Sequence, residues 1–152
     1  MQVELKGSCL CGNHSYQVTG EMAGFYHCHC SRCRKMTGTG HASNIIVQPG
    51  ELELFGDPDE IGVFKVPDAE RFASRFCKNC GGPIPRVSKQ MQRVVVPAGT
   101  LDQEIDFKPQ CRIFSTPGSP GLVPKKNCPC FPNTQSNFPD TGRPPCGEFA
   151  IM

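Results

Sequence analysis

The clearest alternation of apolar and polar residues falls at Glu51-Leu52-Glu53-Leu54-Phe55, just before Gly56. A period of two is the mark of a strand with one buried face. Ala42 to Val47, with β-branched Ile45, Ile46 and Val47, reads as a strand stopping at Pro49-Gly50. Ser15-Tyr16-Gln17-Val18-Thr19 reads as another, closing at Gly20. Ile61 to Val66, Arg71 to Phe76 and Arg93 to Val96 complete the predicted strands. Ser31 to Met36 is the one predicted helix, short, with Ser31 as its N-cap. The expectation is a mainly β domain of small sheets.

Composition changes after Phe114. Residues 115–152 hold eight Pro and four Gly in 38 positions, with almost no apolar periodicity. That share exceeds the roughly 25–30% at which a segment reads as low-complexity or disordered. The expected organisation is therefore a domain over residues 1–114 and a Pro/Gly-rich tail over 115–152. The formal charge of +2 gives no argument for nucleic acid or an anionic membrane. Met1-Gln2-Val3-Glu4-Leu5-Lys6 contains no apolar leader core, and no run approaches the length of a membrane span. A cytoplasmic chain is expected.

In a reducing compartment, eleven cysteines point to metal before disulfides. Seven fall into three clusters: Cys9-Leu10-Cys11, Cys28-His29-Cys30-Ser31-Arg32-Cys33 and Cys77-Lys78-Asn79-Cys80. A two-residue gap lets a tight turn aim two sulfurs at one ion. Gly12 and Gly81-Gly82 follow two of the clusters, where a knuckle needs positive φ. Buried structural cysteines have no reason to repeat such spacings three times. Thiolate-rich sites favour zinc, with iron–sulfur also compatible with the ligand type.

Four thiolates close one tetrahedral site and leave three for a second ion with an open position. Spacing leaves the partition open. Cys28, Cys30 and Cys33 can act together, leaving Cys9, Cys11, Cys77 and Cys80 as the closed site. Alternatively, Cys30 and Cys33 pair with Cys77 and Cys80 as a ribbon. His14, His27, His29 and His41 are candidates to complete a site, although surface or adjoining roles are the plainer reading.

Gly7-Ser8-Cys9-Leu10-Cys11-Gly12, His27 to Gly38, Phe76-Cys77-Lys78-Asn79-Cys80-Gly81-Gly82-Pro83 and Val96 to Asp102 together resemble one family. It is that of the glutathione-dependent formaldehyde-activating enzyme and centromere protein V. The resemblance covers roughly residues 3–114. It implies a fold of small coiled β-sheets, tent-like, pinned by zinc. It implies two zinc ions per chain: a structural one on Cys9, Cys11, Cys77 and Cys80, and a catalytic-type one on Cys28, Cys30 and Cys33. The implied activity is that of a carbon–sulfur lyase joining glutathione to formaldehyde, or a similar thiol to a small aldehyde.

Arg32, Arg34 and Lys35 stand beside the second cluster as candidates to attract carboxylates, ordinary solvated charge being the plainer reading of any one. The alternative function is a non-catalytic zinc module with a macromolecular partner, for which Arg86, Lys89 and Arg93 offer a small basic patch. No interleaved aromatics support nucleic-acid stacking there. The chain leaves the family's pattern after Ser115, running into Thr116-Pro117-Gly118-Ser119-Pro120 and lacking Trp altogether. Cys128, Cys130 and Cys146 in this segment read as adventitious thiols.

Overall fold

The structure is a computed structural model described over residues 1–67, 69, 72–88 and 92–115. It is mainly β. The strands are β1 (Gln2–Ser8), β2 (Ser15–Cys28), β3 (Ala42–Phe55), β4 (Ile61–Lys65), β5 (Ala73–Cys77), β6 (Arg86–Ser88), β7 (Arg93–Pro97) and β8 (Cys111–Ile113). A helix, α1 (Ser31–Thr37), lies between β2 and β3. The larger sheet runs β1-β2-β3-β7-β6, with β8 also paired to β2, and β4 and β5 form a second sheet of two strands.

The frame is a long antiparallel hairpin of β2 and β3, 14 residues each. Gly20 and Pro49-Gly50, expected to end strands, instead mark a bend within it. Gly20 pairs with Gly50, and the register shifts on either side of Met22. Extra residues of this kind bend a strand and increase its twist. The bend divides one edge of β2 between two neighbours. β1 takes residues up to Glu21, and β8 pairs in parallel with Tyr26, His27 and Cys28.

Below the bend, Leu5, Val18 and Leu52 form one cross-strand row, and Gly7, Tyr16 and Leu54 form the next. Gly7 has to be glycine here, because a Cβ would collide with the Tyr16 ring and the Thr100 carbonyl. The Tyr16 hydroxyl shares a hydrogen bond of 2.6 Å with Thr100 Oγ1. Above the bend the sheet is covered on both faces. Phe25, Ile45, Val47, Val94 and Val96 join Leu5, Tyr16 and Val18 in the main core, while Tyr26, Ile46 and Cys111 pack on the reverse face. Double coverage explains why Ile45-Ile46-Val47 is an unbroken apolar run rather than an alternation.

β1, β6 and β8 lie beyond the predicted strands, and the strand expected from Arg71 begins at Ala73. The helix is N-capped by Cys30, not Ser31: Cys30 Sγ accepts from the Cys33 amide at 3.4 Å. Gly38 closes it in the left-handed region at φ 69°, its N–H donating to Arg34 O. Seven residues are too few to be stable alone, so α1 depends on burial of Cys33. The expected tail beyond Ser115, with Cys128, Cys130 and Cys146, lies outside the described residues.

Candidate metal centres

Three separate elements bring the first group of sulfurs together. Cys9 and Cys11 follow β1, Cys77 ends β5, and Cys80 closes the turn after it. Their four sulfurs all lie within 4.8 Å of one another. Cys9 Sγ is 3.6 Å from Cys11 Sγ, and Cys11 Sγ is 3.8 Å from Cys77 Sγ. A disulfide needs about 2.05 Å. The edge of a tetrahedron with zinc–sulfur bonds of about 2.3 Å is about 3.8 Å. The four cysteines therefore fit one tetrahedral ion.

Backbone amides are aimed at these sulfurs. His14 N–H donates to Cys9 Sγ at 3.3 Å, and Gly82 N–H donates to Cys80 Sγ at 3.4 Å. Gly81 takes φ 72°, the positive value that folds the knuckle after Cys80. The Asn79 side chain donates to Cys11, and with the Asn13 amide it draws that thiol down to about 6. Bonds of this kind favour the thiolate, the form that binds metal. Cys9 and Cys77 are buried and Cys80 is half-buried, whereas Cys11 is exposed.

The second group is local. Cys28 ends β2, Cys30 caps α1 and Cys33 lies in its first turn, and their three sulfurs also fall within 4.8 Å of one another. The pairing of Cys30 and Cys33 with Cys77 and Cys80 does not occur. Cys28 and Cys33 donate to Cys30 and, together with the Cys33 amide, hold its thiol far below the ordinary range. Cys28, as a donor to that shared charge, is pushed up. Cys28 and Cys33 are buried, and Ala42, Phe72, Ile113 and Phe114 pack around the group. Phe114 adopts φ 55°, a left-handed value that is a genuine outlier for so bulky a residue.

No histidine nitrogen joins either sulfur group among the described residues. His14 Nε2 shares a hydrogen bond of 2.9 Å with the Asp57 carbonyl. His27 stacks on His41 at 4.2 Å between ring centroids, and His29 lies 5.2 Å from His41. Burial depresses the pKa of both His29 and His41.

The cations separate by role. Arg34 turns back, its Nε donating to His29 O at 3.0 Å, and Lys35 is exposed. Arg32 rests over the Phe72 ring at 6.0 Å. Arg86 rests over the same ring at 5.1 Å and donates to Ala73 O at 3.1 Å. Its charge acts on all three sulfurs of the second group. The basic patch read from the sequence is thus altered: Arg86 serves the second cysteine group, Arg93 donates to Gln48 Oε1 at 2.8 Å, and Lys89 lies outside the described residues. Spacing gave no hint of Phe72 and Arg86, which arrive through the pairing of distant strands. Asn79 was at least in view, inside the Cys77-to-Cys80 gap.

Residues 4–117 match the family model described as glutathione-dependent formaldehyde-activating enzyme. The chain belongs to that family. No curated protein matches it. Among solved structures, a crystal structure of a Rhodobacter sphaeroides protein is similar at 19% identity and TM-score 0.49, covering 67% of this chain and 92% of that one. All seven cysteines of the two groups lie within the part matched to the formaldehyde-activating family, and both groups are compatible with zinc. No helix among the described residues is long and apolar enough to cross a membrane.

Proposed function

We propose that residues 1–114 form a zinc-dependent carbon–sulfur lyase of the S-(hydroxymethyl)glutathione synthase type. In this reading Cys28, Cys30 and Cys33 hold the catalytic zinc, and Cys9, Cys11, Cys77 and Cys80 hold a structural one. The observation that carries it is the division of seven sulfurs into a group of four and a group of three. Four thiolates complete a tetrahedron, and three do not.

The overall reaction forms one carbon–sulfur bond between the thiol and the aldehyde carbon. The thiol proton ends on the former carbonyl oxygen, and nothing is oxidised or reduced. A zinc ion on three thiolates supplies an open fourth position and a charge that lowers the pKa of an arriving thiol. Cys28, Cys30 and Cys33 fix that position at the start of α1. Ile113 and Phe114 wall the group and limit water around it. The positive charge of Arg86 offsets the excess negative charge of three ligand thiolates. The substrates in this reading are glutathione, or a similar thiol, and formaldehyde or another small aldehyde. A reducing cytoplasm suits both the thiol substrate and the ligands.

Formaldehyde consumption in glutathione buffer, followed with a formaldehyde-specific dye, tests the proposal. Consumption faster with zinc-loaded protein than in buffer is expected. Equal initial rates, with both metal groups loaded, would remove the reading.

A further inference from the structure

The proposed reaction needs a thiol, but an open three-sulfur site by itself does not choose among thiols. The cations around it can. Of the three adjoining the cluster in sequence, only Arg32 reaches Phe72, and Arg86 joins it there from β6. Phe72 packs against the buried Cys28 and Cys33. The two guanidinium groups thereby share one ring that itself packs against the cysteine cluster.

A cation held over a ring is attracted by the ring's face without a conventional hydrogen bond, so its N–H donors remain available to other partners. Arg86 commits Nη1 to Ala73 O, which leaves most of its five donors without a hydrogen-bond partner among the described residues. The ion pairs of the described residues are Met1 with Glu21 and Lys6 with Glu4, and neither involves these arginines. Burial also lowers the pKa of Arg86, the signature of a cation partly stripped of water. Desolvated, pre-oriented guanidinium edges recognise carboxylates, bidentately where geometry allows.

We propose that Arg32 and Arg86, ordered on Phe72, form the carboxylate subsite of the three-cysteine centre and select a carboxylate-bearing thiol over a neutral one. Arg86 dominates, being nearer the ring and held at a second point by Ala73 O. Arg32 contributes less, from the turn of α1 between Cys30 and Cys33. The inference rests on the open-site reading above.

The test uses the full-length protein loaded with cobalt(II), whose visible bands change when a thiol enters the coordination sphere. Glutathione and 2-mercaptoethanol are titrated into wild-type, Arg86→Gln, Arg86→Lys and Arg32→Gln proteins. A lost charge-assisted hydrogen bond predicts roughly tenfold weaker glutathione binding for Arg86→Gln. Arg86→Lys should fall between it and wild-type, because a point charge replaces a planar fork. Arg32→Gln should show a loss of the same sign but smaller, and it carries the test if Arg86→Gln does not fold. Because Arg86 also offsets the charge of the three sulfurs, Arg86→Gln should weaken 2-mercaptoethanol too, but by clearly less than glutathione. Arg32→Gln and the charge-keeping Arg86→Lys should leave 2-mercaptoethanol unchanged. Equal losses for both thiols, or no loss for either, overturn the subsite while leaving the open centre intact. If neither thiol alters the wild-type bands, the open-site reading falls, and the subsite with it.

Discussion

Cys11 Sγ and Cys77 Sγ lie 3.8 Å apart although 66 positions separate them in the chain. Closing so long a loop carries an entropic cost, and four ionised sulfurs at this spacing repel one another. A shared cation would resolve both, tying the turn after β1 to the end of β5 and the two sheets to each other.

Cys77→Ala should therefore misfold the protein. Zinc on a complete thiolate set contributes on the order of 10 kcal/mol to folding, as much as the whole stability of an ordinary domain. Far-ultraviolet circular dichroism and zinc analysis check this together. A well-folded Cys77→Ala protein retaining two zinc ions would sink the structural assignment.

Chelation should proceed in two phases. The three-cysteine group has no fourth ligand among the described residues, so its ion should leave first, without loss of secondary structure. The four-cysteine group then empties as the fold collapses. Zinc release to a colorimetric indicator and circular dichroism, recorded on one time course, separate the phases. Release of all the metal in a single step with unfolding would contradict the division.

Tyr16 predicts a pH dependence of its own. Burial raises its phenol to about 12 despite the bond to Thr100. The unfolded phenol ionises near 10, so it loses its proton first as pH rises. The stability contributed by the neutral buried phenol is thus fully present below about pH 10 and is lost toward pH 12. Tyr16→Phe should cost about 1 kcal/mol at pH 8 and flatten the slope above pH 10. Urea unfolding at pH 8, 10 and 11 measures both effects.

Gly7→Ala should destabilise more than an exposed strand glycine would. The added methyl meets the Tyr16 ring and the Thr100 carbonyl, and backbone cannot yield as a flexible side chain can. Overpacking of this kind costs roughly 1–3 kcal/mol. A melting temperature equal to wild-type would show that β1 relaxes away from the ring.

The cysteine clusters were legible because ligand spacing is local: a knuckle is written into consecutive residues such as Cys77-Lys78-Asn79-Cys80. Which clusters share a group was not, because Cys9 and Cys11 meet Cys77 and Cys80 only through the fold. The hairpin was only half legible. Gly20 and Pro49-Gly50 carry the chemistry of a strand end, and a bend inside a paired ladder calls for the same residues. β6 and β8, three residues each, are too short to show a period and exist only through their neighbours. Arg86 was visible as a charge but not as part of a centre, because its position depends on β6 pairing with β7 and β7 with β3. Ser31 misled as a cap because nothing local shows that the Cys30 sulfur takes that place.

The most direct test of the account is the interconversion rate of glutathione and S-hydroxymethylglutathione, measured by NMR exchange spectroscopy with and without zinc-loaded protein. The account predicts an exchange rate above the spontaneous one, lost in Cys30→Ala protein that remains folded and keeps a single zinc. Exchange no faster than buffer, or acceleration surviving in Cys30→Ala, would contradict the assignment of this chemistry to the three-cysteine centre.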